Sequence, residues 1–261
     1  KDSAIINKDN LQKIWDLAGF APLHNPAEAK GIEAFMHVLP DVPQVAVFDT
    51  SFHQTLDPVH YLYSIPYDYY KKYGARKYGA HGTSVHYTTL EAAKMMQRDV
   101  KDLKLIICHL GSGSSITAVK NGKSYDTSMG FSPLSGVTMG TRSGDIDPSL
   151  VQHLMHKTGD SIDEMIDILN KKSGLIGLSG ISSDMRDLKY NDDPRAVLAR
   201  KIFINRVVRY IGSYLAEMGG ADGIVLTAGV GEGDVEVRKQ IMDAFRYMGV
   251  KPDYEANKSN G

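Results

Sequence analysis

At 261 residues, with 42% apolar and 23% charged side chains, the chain is long enough to form one large domain or two smaller ones. Its 30 basic side chains nearly balance 31 acidic ones and no long basic run occurs, which argues against a nucleic-acid surface and against binding to an anionic membrane. The single cysteine, Cys108, excludes an internal disulfide, and the lack of a signal-peptide core or of an apolar stretch of ~18 residues predicts a cytoplasmic location without a membrane partner.

The first hundred residues alternate helical and extended segments. Residues 9–19 predict a helix because apolar side chains recur there at helical spacing. Residues 44–48 read as a short buried strand that ends at Asp49, and residues 90–99 predict a second helix.

The following segments predict a hairpin and then a mainly helical region. Residues 103–109 and 115–126 read as strands, and the Asn121-Gly122 turn folds the latter into a hairpin. Further predicted elements are helices at about 148–157, 161–171 and 195–218, a strand at 223–227, a glycine-rich turn, and a helix at about 234–247. Strands that lead into helices, with glycine loops at strand exits, indicate an α/β fold with ligand sites at the carboxyl ends of the strands.

The stretch from residue 106 to 122 suggests a phosphate-binding loop. An apolar strand runs into His109 and a tight Gly111-Ser112-Gly113 turn, after which Ser114 and Ser115 begin a second strand. Glycines let backbone N–H groups approach an anion, and the serines add hydroxyl donors. Neither a Walker A motif nor a dinucleotide-binding fingerprint occurs, so the geometry suits a β-hairpin gripping a polyphosphate. The alternative is a plain flexible turn.

Two loops place chemically useful side chains beside glycines or strand exits. Asp49 follows a hydrophobic strand, where a carboxylate commonly holds a metal ion or orients a nucleophile; capping of a turn is the alternative. His81 lies between glycines in YGAHGTS and is a candidate donor to a transferring group, although a surface histidine explains it equally simply.

Two later loops extend this set. Arg142, in MGTRSGDIDP, offers a fixed fork for phosphate or carboxylate oxygens, and a salt bridge to Asp145 or Asp147 is the competing explanation. The segment LTAGVGE at 226–232 would let a flat ring or sugar pack against bare backbone, or is simply a strand–helix turn.

Seven motifs together resemble the acetate kinase family, in the acetate and sugar kinase/Hsp70/actin superfamily. They share the family's order and approximate spacing over roughly residues 8–250: HNP (24–26), VFDTSFHQT (47–55), AHGTS (80–84), HLGSGSS (109–115), DTSMGFSPLSGVTMGTRSGDIDP (126–148), SSDMRDL (182–188) and TAGVGE (227–232). The block at 126–148 is highly specific because of its length.

The resemblance implies a fold. It is an α/β, actin-like ATPase (ribonuclease H-like) fold with duplicated βββαβαβα-type lobes and a cleft between them. Residues 1–100 would form the remainder of the first lobe, on the carboxylate-substrate side. Residues 101–261 would form the second lobe, which binds nucleotide and carries the dimer surface. The N-terminal part of the first lobe and the C-terminal end of the family pattern are expected to be missing from this sequence.

The resemblance also implies an activity: reversible Mg²⁺-dependent, in-line phosphoryl transfer from ATP to acetate, giving ADP and acetyl phosphate in a homodimer, with Mn²⁺ as a substitute metal. Carried over residue by residue, Asp49, His81 and Arg142 are catalytic, His24 and Arg142 contact the carboxylate substrate, and Asp49 is a direct or indirect metal ligand. The implied ATP-binding residues are His109, Leu110, Gly111, Ser112, Gly113, Asp184, Met185, Arg186, Gly229, Val230, Gly231, Glu232 and Gly233.

The chain departs from the family pattern at several positions. Ser112 replaces an asparagine, Ala80 replaces a phenylalanine, and Gly233-Asp234 replaces Asn-Ser, so that Asp234 is expected to bring a negative charge near the nucleotide. Because one phosphate loop, one substrate arginine and the family's glutamate metal ligand are not in this sequence, the segment alone is expected to be a poor catalyst.

Three other functions remain open on the sequence. A propionate kinase of the same family would differ only around the substrate's methyl group. An actin- or Hsp70-like ATP-driven binding protein would keep the nucleotide loops without a carboxylate site. A non-catalytic nucleotide-binding fragment is the third alternative.

Overall fold

The computed structural model describes residues 3–18 and 25–259. The strands are β1 (Ala4–Ile5), β2 (Val45–Ala46), β3 (Lys104–Leu110), β4 (Ser114–Lys120), β5 (Lys123–Thr127) and β6 (Gly223–Thr227). The helices are α1 (Lys8–Asp16), α2 (Asn25–Val38), α3 (Pro58–Tyr61), α4 (Tyr67–Tyr73), α5 (Gly82–Met95), α6 (Pro148–Thr158), α7 (Ile162–Lys171), α8 (Gly174–Ser179), α9 (Met185–Lys189), α10 (Pro194–Met218), α11 (Ala228–Gly233), α12 (Val235–Asp243) and α13 (Tyr254–Lys258).

The predicted hairpin and the helices after it are confirmed where local signals are strong. Asp147 caps α6 and accepts a hydrogen bond from the Ser149 N–H, with Pro148 at the first helical position. Ser161 and Glu164 form a capping box that starts α7. A third aspartate, Asp193, caps α10 in the same way.

Several segments differ from the prediction. Helix α5 begins at Gly82 rather than near residue 90, because His81 adopts a left-handed conformation (φ 60°) that turns the chain directly into the helix. The predicted glycine-rich turn after β6 is the short helix α11, which follows another left-handed residue, Ala228. Helix α12 ends at Asp243 rather than near residue 247, and helices α2, α3, α4, α8, α9 and α13 were not predicted. The strand predicted as buried at 44–48 is β2, which has only two residues, and Val45 and Val47 there are exposed.

The larger sheet has the strand order β5-β4-β3-β6. Strand β3 pairs with β4 in antiparallel and with β6 in parallel, in a register that sets His109 opposite Thr227. The parallel pair therefore brings the loop after β3 and the loop after β6 to the same edge of the sheet.

Helices cover both faces of this sheet. Ile106 and Cys108 of β3 pack in the cluster that contains α10, whereas Leu105 and Ile107 pack in the cluster that contains α5. Burial on both faces explains why β3 is a nearly continuous apolar run rather than an alternating one. Cys108 is fully buried and its burial raises the pKa of the thiol, which confirms it as a small core residue.

A second, two-stranded sheet of β1 and β2 packs with α1 and α2 around Ile6, Leu11 and Ala29. The chain leaves β2 and reaches Asp49 within three residues, so this unit delivers that carboxylate to the edge of the larger sheet. Within the described ranges, every helix is too short or too polar to span a bilayer. The division into two lobes near residue 100 stays a prediction.

Candidate active site

Two of the predicted catalytic side chains meet at the glycine loop after β3. A Cβ atom placed on Gly113 would lie 3.4 Å from Arg142 Nη1 and 3.4 Å from His81 Nε2, so these two nitrogens are separated by no more than twice that distance. The cationic fork and the imidazole therefore face the same small space beside the loop, although they are far apart in sequence.

Asp49 joins this group through the backbone of His81. Its Oδ2 accepts a hydrogen bond from the His81 N–H (2.6 Å), and its carbonyl oxygen accepts one from the Gly82 N–H (2.7 Å). A Cβ on Gly82 would overlap that carbonyl oxygen, so only glycine allows this close approach. Asp49 thus fixes the start of α5 and holds His81 in its left-handed conformation.

The imidazole of His81 is oriented on two sides. Its Nδ1 lies 2.9 Å from Ser115 Oγ on β4, and its ring stacks on His109 with 4.1 Å between ring centroids. His109 is held in turn by Ser84, whose Oγ lies 2.9 Å from His109 Nδ1. These contacts direct His81 Nε2 toward Gly113.

Arg142 keeps its positive charge available. Its Nη1 donates to the Pro133 carbonyl (3.1 Å) and contacts Met139 Sδ (3.6 Å), and within the part of the chain that the structure describes no carboxylate lies within ion-pair distance of it. The salt bridge considered above is wrong, because Asp145 accepts from the Gly136 N–H and the Tyr210 hydroxyl, and Asp147 caps α6. Burial lowers the pKa of the Arg142 guanidinium, which nevertheless stays protonated.

The neighbouring His109 is partly buried, and this burial affects its ionisation. Burial lowers the pKa of its imidazole, and the negative charges of Asp49 and Glu232 oppose that change. Burial therefore disfavours a positive charge on the ring that stacks on His81.

The predicted nucleotide-binding segments also gather here. A Cβ on Gly111 would lie 3.7 Å from the Ala228 Cβ, which places the loop after β3 against the start of α11. The Ser112 carbonyl accepts from the Gly140 N–H (3.0 Å), and a Cβ on Gly140 would lie 2.9 Å from the Ser183 carbonyl oxygen. The loop, the segment before Arg142 and the start of α9 are therefore in contact.

The side chains of the predicted nucleotide-binding segments differ in whether they are able to contact a nucleotide. Leu110 and Met185 are buried in the core, so they can contribute only backbone groups. Asp184 caps α9 and pairs with Arg186, and Glu232 accepts from the Thr227 hydroxyl. The remaining predicted nucleotide residues, Gly229, Val230, Gly231 and Gly233, lie in the short helix α11 that directly follows β6.

The charge of Asp234, which the sequence predicts near the nucleotide, is paired within the fold. Asp234 is only 6% exposed, caps α12, and lies 3.3 Å from Lys189 Nζ and 3.6 Å from Arg200 Nη2. Its charge is neutralised inside the fold rather than presented to a ligand.

Sequence reasoning did not assign a role to His53, although it lies in the motif that carries Asp49. This buried ring lies 2.8 Å from the Ala80 carbonyl through Nε2 and 2.8 Å from Ser124 Oγ through Nδ1. It therefore holds the peptide that precedes His81. Its position shortly after the predicted strand was the only local indication of a role, because its partners Ala80 and Ser124 are distant in sequence.

The sequence also predicts a metal ion at Asp49 and a substrate contact at His24. Asp49 fits a Mg²⁺ ion, because only Oδ2 is engaged among the described hydrogen bonds, and a lone carboxylate oxygen with waters and phosphate oxygens is a usual magnesium environment. His24, the predicted substrate contact, lies outside the described residues.

Comparisons with known proteins agree on one family. A model of the acetokinase family matches residues 1–261. The acetate kinase of Limosilactobacillus fermentum is 60% identical over 264 residues, covering 100% of this chain and 66% of that protein. A solved propionate kinase from Francisella tularensis superposes with a TM-score of 0.94 at 44% identity, covering 99% of this chain and 67% of its own. The solved acetate kinase of Porphyromonas gingivalis superposes with a TM-score of 0.91 at 41% identity, covering 98% of this chain and 65% of its own.

These superpositions place the chain in the actin-like ATPase class of α/β proteins, which confirms the predicted fold class. The match of the family model along the whole chain then decides the family: the chain belongs to the acetokinase family. It spans about two thirds of the length of the relatives named above.

Proposed function

We propose that this chain carries the phosphoryl-transfer site of an acetate kinase, which converts ATP and acetate to ADP and acetyl phosphate and runs in reverse. The observation that supports this most strongly is the convergence of Arg142 Nη1 and His81 Nε2 on Gly113 of the loop after β3. The name of the L. fermentum relative supports acetate as the acceptor.

The arrangement suits the charge distribution of this reaction. Phosphoryl transfer spreads negative charge over three equatorial oxygens, so cationic groups held in place beforehand supply most of the catalysis. Arg142 offers a half-buried guanidinium without a carboxylate partner in the described chain, and His81 offers a ring nitrogen fixed by Ser115. Acetate is already an anion near neutral pH, so the site has to offset repulsion between two anions rather than create a nucleophile.

Nucleotide and metal would occupy adjacent positions. ATP would lie along the edge formed by the loop after β3, the start of α9, and α11, with the backbone N–H groups of Ser112 and Gly113 near its phosphates. Mg²⁺, when bound beside Asp49, would neutralise phosphate charge. Asp49 has a second duty that needs no metal, which is to hold the His81 N–H.

The test compares Arg142→Ala with Arg142→Lys, assaying acetyl phosphate formation in the purified chain and in a chimera that supplies the flanking regions of the L. fermentum enzyme. In the chimera we expect Arg142→Ala to lower kcat by about 10²-fold or more and Arg142→Lys to restore only part of it, since lysine lacks the planar fork. Near-normal turnover of Arg142→Ala would overturn the proposal. The chain alone is expected to turn over poorly.

A propionate kinase is the second candidate, because the F. tularensis structure of that name superposes as well as the acetate kinase does. One methylene changes binding in an apolar pocket by only about 1–3 kcal/mol. The ratio of kcat/KM for acetate and propionate, measured in the same chimera, decides between the two. A homodimer and a cytoplasmic location remain predictions.

The two non-enzymatic alternatives are less well supported. An ATP-driven binding protein would be favoured if His81 and Arg142 lay far apart, whereas they share one space. A nucleotide-binding fragment without activity would bind MgATP in calorimetry yet leave the chimera inactive.

A further inference from the structure

A second group of ligand-type side chains consists of residues that are not assigned to the proposed active site. His60 of α3, Asp126 of β5 and Glu217 near the end of α10 each offer one ligand atom, and these atoms all lie within 4.8 Å of one another. The three residues belong to three different elements, so an ion between them would join α3, β5 and α10.

Asp126 presents one oxygen to this group. Its Oδ1 accepts from the Thr127 N–H and pairs with Lys77, whereas its Oδ2 lies 3.7 Å from His60 Nδ1, beyond hydrogen-bond distance. Within the described ranges, no hydrogen bond to Oδ2 is formed. Lys77 neutralises the far side of the carboxylate and leaves Oδ2 for another cation.

A buried hydroxyl supplies an independent observation. Tyr214 is 2% exposed and, among the residues described, its Oη has no hydrogen-bond partner. Burial raises the pKa of this phenol, and the negative charges of Asp126 and Glu217 act in the same direction. Tyr214 and Glu217 are three residues apart on α10 and share one face of that helix. A buried hydroxyl without a hydrogen-bond partner costs free energy, so we expect a bound water molecule or another group to supply that hydrogen bond.

We propose that His60, Asp126 and Glu217 bind a divalent transition-metal ion of the zinc class, and that the Tyr214 hydroxyl bonds to a water molecule on that ion. Two observations select this class of ion. One imidazole nitrogen with two carboxylate oxygens suits Zn²⁺, Co²⁺ or Ni²⁺ better than Mg²⁺ or Ca²⁺, which prefer oxygen ligands alone. The separation of 3.7 Å between His60 and Asp126 is near the edge of about 3.4 Å expected for a tetrahedron with bonds of about 2.1 Å.

Glu217 completes the set by a small side-chain rotation. It is exposed and, among the residues that the structure describes, accepts a hydrogen bond from the Ser213 hydroxyl alone (3.1 Å), so it is able to move toward the other two ligands. The ion would have a structural role, because it ties the end of the core helix α10 to the strand that leads into the Arg142 segment.

The test titrates the purified chain with Co²⁺ alone, followed by its visible absorption, and with Zn²⁺ alone, followed by calorimetry and by the unfolding temperature Tm. We expect one tight site per chain, a higher Tm with Zn²⁺, and at least a tenfold loss of affinity in Glu217→Gln and in His60→Gln. Glu217 is exposed, so its substitution leaves the fold intact even if His60→Gln does not.

The matched control removes two exposed imidazoles that lie outside the proposed site. His153→Gln and His156→Gln, both on α6, are expected to leave the tight site unchanged. Equal affinity in Glu217→Gln and the unaltered chain, loss of the site in the α6 variants, or no tight site at all would each overturn the assignment.

Discussion

At the scale of single residues, the site depends on a backbone conformation that non-glycine residues seldom adopt. His81 has φ 60° and is stabilised there by the Asp49 carboxylate on its N–H and by His53 on the carbonyl of the preceding residue. Left-handed residues outside glycine cost free energy and persist where surrounding contacts over-determine them. The left-handed backbone of His81 and the contacts that stabilise it therefore orient the His81 imidazole.

Gly113 offers a direct test of the space between the catalytic groups. Gly113→Ala should leave the fold nearly as stable, since its φ is not left-handed, but its methyl carbon would fill the position 3.4 Å from both Arg142 and His81. We expect kcat of the chimera to fall by about 10²-fold or more. Gly212→Ala in α10, with no atom near its added carbon, is the control and should raise stability by about 0.5–1 kcal/mol. Unchanged turnover in Gly113→Ala would contradict this geometry.

His53 is predicted to act as a positioning residue. His53→Ala leaves the Ala80 carbonyl and the Ser124 hydroxyl without their buried partner, so unfolding should become easier by about 2 kcal/mol or more. We also expect kcat to fall while KM for ATP changes little, and His53→Gln to recover part of kcat because an amide can serve both partners. Exposed His153→Ala is the control. A loss of stability without any change in kcat would leave His53 a purely structural residue.

The residues predictable from the sequence were those with a local signal. Asp49 follows a strand, His81 lies between glycines and Arg142 lies in a glycine turn, so residue type and position were informative. His53 had no such signal, since its partner Ser124 is 71 positions away. The burial of Asp234 by Lys189 and Arg200 depends likewise on packing between α9, α10 and α12.

At the scale of elements, capping chemistry decided which helices could be predicted. Helices α6, α7 and α10 begin with an aspartate or serine cap that the sequence shows directly. Helix α5 has no side-chain cap and starts from a left-handed histidine, so its first residues resemble a loop. Helix α11 contains several glycines, which are poor helix formers and predict a turn.

Asp234 permits a test of element docking. Asp234→Asn keeps a good helix cap for α12 but removes the charge that faces Lys189 and Arg200, and we expect a loss of about 2–4 kcal/mol in the free energy of unfolding. Asp193→Asn, at the exposed cap of α10, should cost less than about 0.5 kcal/mol. Urea unfolding of both variants measures the difference; equal midpoints would show that the buried pairs contribute little.

At the scale of the whole molecule, the mixed sheet gathers the site because β3 and β6 are parallel neighbours. Their carboxyl ends deliver His109 and the start of α11 to one edge, and β4 returns Ser115 to the same edge. The alternation of strands and helices predicted the α/β class, but the pairing of β3 with β6, more than a hundred residues later, follows only from tertiary packing.

The buried histidines predict how stability depends on pH. Burial lowers the pKa of both His53 and His109 below the ordinary value of about 6.5, so the unfolded chain binds more protons than the folded chain between the two values. The stability that these two histidines contribute by staying neutral is complete above about pH 6.5 and is lost as the pH falls below that value. The urea concentration at the midpoint of unfolding should therefore be lower at about pH 5.5 than at about pH 7.5. This decrease should be smaller in His53→Gln. A higher midpoint at the lower pH would contradict this.

The convergence of Asp49, His81 and Arg142 on a transferring phosphoryl group is tested most directly by a crystal structure of the chain with MgATP bound. We expect the Arg142 guanidinium and His81 Nε2 within about 3.2 Å of oxygens on the terminal phosphate, and Asp49 beside the metal ion. A terminal phosphate bound on another face of the sheet, with Arg142 and His81 both out of reach, would contradict the assignment.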